Sequence, residues 1–259
     1  VAVDADGIYY DDATDVLYQL NRTNNVINAY SNVKSSIASG SDPIVTATST
    51  SDFTNGREIA VAGDFIVVTQ DASDANGQLN KLFVYQISPT SIVLKNTYDV
   101  SINLWGIHAN TNTLYAVVDN SNNIAVFENF FLNPNGSITP DLTVSVDEMV
   151  RTHGLTYDAA SDLMIMTDVA DAGSATDGAF TAIANFTNAS ADGNISLSEQ
   201  IRISGAATLL GNPVDVAFDA ANDNIYIAER ANAGGQILVF ENPLIGGNIR
   251  PIDVKPFFK

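Results

Sequence analysis

What most constrains this chain is that it repeats itself. GIYYDDATDVLYQLNR from Gly7, GIHANTNTLYAVVDN from Gly106, GLTYDAASDLMIMTD from Gly154 and DVAFDAANDNIYIAER from Asp215 share one plan. Each is a short apolar strand, a polar turn built on Asp or Asn, and a second apolar strand. Tyr10, Tyr157 and Phe218 occupy matching places, and each is followed by an acid: Asp11, Asp158, Asp219. Asp15, Asp162 and Asp223 close the same turn. A weaker copy, REIAVAGDFIVVTQD from Arg57, lacks the Asp turn and closes with Gly63-Asp64. A third strand follows each pair: NNIAVFENF (122–130) and GQILVFENP (235–243) are near copies, while KLFVYQIS (81–88), GAFTAIANF (178–186) and NVINAYSNV (25–33) are looser ones. A fourth is expected behind a Gly-containing turn, in NGSITPDLTV, DGNISLSEQI and GGNIRPIDV.

Four strands per unit and a period of about 50 predict an all-β chain folded as a β-propeller of four-stranded antiparallel blades. The short connections make successive strands antiparallel. Five repeat units are read, about 5–53, 54–103, 104–150, 151–211 and 212–259, forming a single domain over 1–259. A sixth blade, missing from this chain or hidden in a long repeat, is the alternative. Closure is expected from packing between the first and last blades, helped by Val1 to Val3. No 3.6-residue periodicity is sustained, which excludes an α/β fold.

Composition narrows the partners. With 11 Lys plus Arg against 30 Asp plus Glu, the formal charge is −19. Such a chain repels nucleic acid and anionic lipid. No apolar run reaches the ~18–20 residues of a transmembrane helix, so no membrane insertion is expected. Cysteine is absent, which removes disulfides, thiolate catalysis and Cys-ligated metals. The opening VAVDADGIYY carries no basic or apolar leader, so the expectation is either a chain that never had a signal peptide or a mature form. The acid-rich, Asn-rich, Lys-poor composition suits an extracellular or cell-surface location. Asn-x-Ser/Thr sequons stand at Asn21, Asn135, Asn185, Asn188 and Asn194, with glycosylation left open.

GNIRPIDV preceded by QILVFENP, together with NPVDVAFDAANDNIYIAER, resembles the NHL-type repeats of secreted bacterial β-propellers. The likeness is strongest over 104–259. It implies the propeller fold and leaves function open, because propellers of this type include lyases, lactonases, adhesins and binding scaffolds. Where the family pattern has a Gly at the N-P-x-G step, this chain has Asp215 in its last unit and Glu58 in its second.

Aligning the units places Asp6-Gly7, Arg57-Glu58, Trp105-Gly106, His153-Gly154 and Val214-Asp215 at the start of the inner strands, at the rim of a central channel. The two histidines, His108 and His153, fall on inner strands of adjacent blades. With Glu58, Asp215 and Asp6 they permit a His/carboxylate metal site, and a catalytic version would hold a metal-bound water at the channel mouth. Against it stands the plain reading of polar channel residues bonded to water. Two acidic loops alternate oxygen ligands with glycine as calcium loops do: one with Asp71, Asp74 and Asn76, the other with Asp168, Asp171 and Asp177. Neither has EF-hand spacing, and Asx turns give the same composition. Calcium is thus the first candidate cation and a transition metal the second. The Asp-x-x-x-Asp turns recur in several units, so they read as turn caps and not as catalytic pairs. Trp105 is a candidate stacking platform for a sugar, or a lining residue. Phe130-Phe131 and Phe257-Phe258 offer inter-blade packing or a subunit contact.

No G-x-S-x-G and no phosphate-cradling loop occurs. The favoured expectation is a non-catalytic, secreted or cell-surface propeller that binds a protein or carbohydrate partner or assembles with copies of itself. The alternative is a metal-assisted hydrolase or lyase using Glu58, His108, His153 and Asp215.

Overall fold

The computed structural model describes residues 5–88 and 90–257. Val1 to Val3, the expected closure segment, and Phe258 lie outside these residues. The repeats become sheets in chain order. The first blade is β1 (Ala5–Asp11), β2 (Val16–Asn21), β3 (Val26–Ser31) and β4 (Ile44–Thr48), with a short helix α1 (Val33–Ser39) before β4. The second is β5 (Gly56–Ala62), β6 (Phe65–Gln70), β7 (Lys81–Ser88) and β8 (Ser91–Asp99). The third comprises β9 (Leu104–Ala109), β10 (Leu114–Val118), β11 (Asn123–Phe127) and, after the two-residue β12 (Gly136–Ser137), β13 (Leu142–Val146). The fourth comprises β14 (Thr152–Asp158), β15 (Leu163–Asp168), β16 (Ala179–Ala184) and, after helix α2 (Phe186–Ala189) and the two-residue β17 (Asn194–Ile195), β18 (Ile201–Ser204). The fifth is β19 (Pro213–Asp219), β20 (Asn224–Glu229), β21 (Gln236–Glu241) and β22 (Asp253–Pro256). These are five blades of four antiparallel strands in a β-propeller arrangement, as the repeat predicts.

By compactness the chain divides into two units, Val1–Leu114 with Phe127–Thr139, and Tyr115–Val126 with Pro140–Lys259. In the first unit, β1 lies against β5 and β5 against β9. There, one face of the first blade (Tyr18, Leu20, Ile27, Ala29) packs on one face of the second (Ile59, Ile66, Val68, Phe83, Tyr85), with Phe53 between. In the second unit, β14 lies against β19, and Ile165, Phe180 and Ala182 meet Val216, Ile225, Ile227 and Phe240. Alternation along each strand sends successive side chains to opposite faces, so each blade can bury apolar surface on both.

The Gly-containing segments differ in part from expectation. Gly136–Ser137 does not begin the third blade's outer strand; it pairs in parallel with Tyr98–Asp99 of β8. Asn194–Ile195 likewise pairs in parallel with Ser145–Val146 of β13, and Gly247 bridges to Ile203. Each segment thus reaches back to cover an outer strand edge that would otherwise leave backbone groups unpaired. The true fourth strands, β13, β18 and β22, follow it. Phe130 serves packing: it is buried edge-on against Tyr98 at 5.2 Å, and Phe131 stacks on Phe65 at 5.2 Å.

The abundance of Asn and Asp has a backbone cause. Asn32, Asn129, Asn185 and Asn242, each just after a third strand, have positive φ, as do Asp15, Asp162 and Asp223 in the hairpin turns. Short amide and carboxylate side chains tolerate this left-handed region better than other L residues. Asp15 and Asp162 do more. Each accepts a bond from its repeat's Tyr hydroxyl (Tyr10 and Tyr157, both 2.9 Å) and from a backbone N–H of the following helix, Lys34 and Thr187, both at 3.0 Å. Asp11, Asp158 and Asp219 hold turn N–H groups at Ala13, Ser161 and Ala221. The recurring Asp pairs are turn and helix caps.

Candidate functional site

The first strand of four blades shifts register near its start, between Ala5 and Ile8, Gly56 and Ile59, Thr152 and Leu155, and Pro213 and Asp215. Such bulges kink the backbone and re-aim side chains. They also bring neighbouring first strands very close. A Cβ on Gly7 would lie 2.1 Å from Glu58 Oε1 and 2.5 Å from Ile59 N, and one on Gly154 would lie 2.5 Å from the Asp215 Cα. Glycine on one strand therefore makes room for the acid on the next. Gly154→Ala should cost about 2 kcal/mol or more, because backbone must move to relieve the overlap; an unchanged denaturant midpoint would contradict this packing.

Both acids fold back on their own strand. Glu58 Oε1 accepts the Ile59 N–H at 2.8 Å, and Asp215 Oδ1 accepts the Val216 N–H at 2.8 Å. Burial pushes the Asp215 carboxyl up to about 6, against the opposing pull of that N–H. The raised value has a defined consequence for stability. Above about pH 6 the carboxylate is charged both folded and unfolded, and the folded state carries the full penalty. As pH falls from about 6 towards the ordinary 3.8, the folded state takes up the proton first and is stabilised. Asp215→Asn should raise stability at pH 7.5 by roughly 2–3 kcal/mol. It should also abolish this residue's share of the gain on acidification, which thermal melts of both proteins from pH 7.5 to 4 would read. Equal pH profiles would refute it.

A second set of polar groups escaped the sequence reading as a set; of its charged members that reading picked out Asp168 alone, and as a cation ligand. At the end of the second strand of every blade stands an acid or amide, and all are buried: Asn21, Gln70, Asp119, Asp168 and Glu229. Most accept backbone N–H groups from the segment that leads into the blade's first strand. Gln70 Oε1 takes Thr54 N at 2.9 Å. Asp168 Oδ1 takes Val150 N, Arg151 N and Ala170 N at 3.2, 3.0 and 3.2 Å, while its Oδ2 pairs with Arg202 at 2.6 Å. Glu229 takes Gly211, Asn212, Ala231 and Asn232 N–H groups at 2.8–3.0 Å. The signal was present as one column of the repeat that is never apolar.

In the first unit, Arg57 binds Asp71 Oδ2 through Nε (3.1 Å) and Nη2 (2.8 Å), and its guanidinium lies 4.3 Å from the centre of the Trp105 ring. One face of the candidate sugar platform is thus covered by Arg57. The Trp105 carbonyl accepts the Thr69 hydroxyl at 2.9 Å. In the same loop Asp74 accepts Gln78 Nε2 at 2.6 Å. Asn76 takes Ser73 N and Leu79 N on its oxygen and donates to the Thr54 and Asp71 carbonyls. His108 sits on β9.

In the second unit, Asp119 lies 3.2 Å from Arg151 Nε and 3.4 Å from His153 Nε2. Burial pushes its carboxyl up, but hydrogen bonds from His153 and Arg151 outweigh that and leave it below the usual carboxylate range. Asp171 caps Gly173 N at 2.9 Å, and Asp177 accepts Asp171 N at 3.3 Å. Among the described residues, no group of three or more His, Cys, Asp or Glu is placed to hold a metal ion. Among the sequons, Asn21 is buried and its oxygen accepts Asn24 N, and Asn135 holds Thr97 N at 2.7 Å.

No family model and no curated protein matches the chain. Solved structures do. A nidogen/laminin complex aligns with a TM-score of 0.65 at 16% identity, over 99% of this chain and 81% of that one. Hydrazine synthase from Kuenenia stuttgartiensis aligns at 0.61 with 14% identity, over 93% and 65%. A Bacteroides fragilis protein provisionally assigned as a 6-phosphogluconolactonase aligns at 0.60 with 12% identity, over 96% and 70%. At these identities the likeness establishes the β-propeller fold alone.

Proposed function

We propose that this chain is a non-catalytic β-propeller of the extracellular or cell-surface kind, related to NHL-type repeats, that works as a binding or self-assembling scaffold. One observation carries the reading: the carboxylates are engaged by backbone N–H groups of the fold. Glu58 and Asp215 bond to their own strands, and Asp168 and Glu229 fix connecting backbone. A general base or metal ligand instead needs a lone pair directed at substrate or ion. The likeness to a structure of a nidogen/laminin complex supports a protein partner. The competing reading is a metal-assisted hydrolase or lyase on Glu58, His108, His153 and Asp215. The raised Asp215 carboxyl and the neighbour named as a lactonase favour it.

Elemental analysis after exhaustive dialysis, paired with a lactone-hydrolysis assay, separates the two. The scaffold reading expects no stoichiometric transition metal and no turnover. One such ion per chain, lost together with hydrolysis in His153→Ala, would replace it with the enzyme. Calcium alone would belong to the Asp71 or Asp168 loops and leave the scaffold reading in place.

A further inference from the structure

The outer edges of the blades are not treated alike. Three of them are covered by a segment from the blade that follows, and these segments share one chemistry: Gly136-Ser137-Ile138, Gly193-Asn194-Ile195 and Gly247-Asn248-Ile249. The glycine of each has positive φ, at 125°, 85° and 98°. On β8, Asn135 Oδ1 takes Thr97 N at 2.7 Å, and Ile138 N donates to the Asp99 carbonyl at 3.0 Å. On β13, the Gly193 and Ile195 carbonyls take Ser145 N and Asp147 N, both at 3.0 Å. On β18, Gly247 N donates to the Arg202 carbonyl at 2.8 Å, and its carbonyl takes Ser204 N at 3.2 Å.

The first blade has no such cover. β4 ends its sheet, and among the described residues no strand pairs along its outer side. By the same step of one blade, its cover would come from the link between β7 and β8. That link is a tight hairpin: the two strands stay paired up to Ser88 and Ser91, which leaves two residues between them. On β4 itself Ile44, Val45, Thr46 and Thr48 are exposed. Ser49 N turns inward to the Ile27 carbonyl at 2.9 Å, so strand alternation turns the N–H and C=O of Thr48 outward. Thr48 faces Asn28 across the ladder as Thr97 faces Phe83 and Arg202 faces Thr181. It presents the backbone groups that Asn135 and Gly247 engage on the second and fourth blades.

We propose that the β4 edge takes an extended segment of a partner protein, laid parallel to it and led by glycine, then Asn or Ser, then an aliphatic residue. The inference rests on the scaffold reading and gives the partner's mode of binding. Main-chain bonds along the edge supply the affinity, as wherever a peptide adds a strand to a sheet. This chain's own three segments of that chemistry are already seated on other edges, in any copy of it, so the cover comes from a different protein. That segment is free of acids, because the chain carries −19 and Asp42 and Asp52 stand beyond the two ends of the strand. β4 also lacks the lysine that commonly blunts an open edge, and an apolar edge left bare is a template for pairing.

The probe is the capped peptide PNGSITP, residues 134–140 of this chain, titrated into the whole protein while backbone amide shifts and hydrogen exchange are followed. Before peptide is added, the Thr48 amide should exchange fast, while those of Thr97, Ser145 and Ser204 are protected. Peptide at millimolar concentration should shift residues 44–50 saturably and slow exchange at Thr48. Thr48→Pro removes the outward N–H and no inward bond, a place where an edge strand tolerates proline, and circular dichroism checks that it folds. It should weaken peptide binding about tenfold or more, as should Gly136→Val in the peptide, which opposes the positive φ. A Thr48 amide protected in the free protein overturns the proposal, as do absent shifts at 44–50 or equal binding by Thr48→Pro. A dimer of the parent in sedimentation that Thr48→Pro abolishes would give the edge to a second copy and overturn it too. Failure of the peptide without metal or turnover removes only this inference. A stoichiometric transition metal with lactone hydrolysis removes the scaffold reading whatever the peptide does.

Discussion

Asp168→Ala should lower the melting temperature by roughly 10 °C, equivalent to about 3–5 kcal/mol for a chain of this size. The carboxylate is fully buried, and its loss strands the Val150, Arg151 and Ala170 N–H groups and the Arg202 guanidinium at once. Breaking a buried pair by removing one partner costs far more than the pair contributes net, because the remaining charge is left uncompensated. The double variant with Arg202→Met should therefore recover part of the loss, and a double-mutant cycle measures how much. The measurement also bears on the cation reading of this loop. If Asp168 held calcium, a chelator would reproduce the loss in the parent; with Arg202 as its partner, chelator and calcium should leave the melt of both proteins unchanged. A parental melting temperature in Asp168→Ala would contradict the assignment.

Glu229→Ala is the second large effect, about 3 kcal/mol or more. Four backbone N–H groups converge on this buried side chain from both sides: Gly211 and Asn212 before β19, Ala231 and Asn232 after β20. Alanine leaves all four without an acceptor. Glu229→Gln should fall between the two, since one oxygen remains while an NH2 group meets a donor. Hydrogen exchange gives the local signature, with faster exchange at 211–212 and 231–232 before the rest of the second unit. Uniform acceleration across that unit would show that the residue does not act locally.

The order of strands, their hairpin pairing and the blade count were legible in the sequence, because alternation and turn chemistry are local. Tyr10-Asp11 and Tyr157-Asp158 mark the same hairpin before any fold is known. The Gly136, Asn194 and Gly247 segments were misplaced by a few residues for a physical reason: their pairing is with the preceding blade, and no local pattern records a non-local parallel bridge. Trp105 reads as a free platform in the sequence, because Arg57, which covers it, stands on the preceding first strand.

The sequence by itself determined a repeating all-β propeller with asparagine and aspartate at its left-handed turns. Only the tertiary structure decided what the acids do. Whether a carboxylate such as Asp168 or Glu229 awaits a ligand or holds backbone depends on which N–H groups surround it. Some of those donors are local, at Ala170, Ala231 and Asn232, but Val150, Arg151, Gly211 and Asn212 stand 17 or 18 residues away and Arg202 is on another strand, brought in by folding that composition and spacing do not encode.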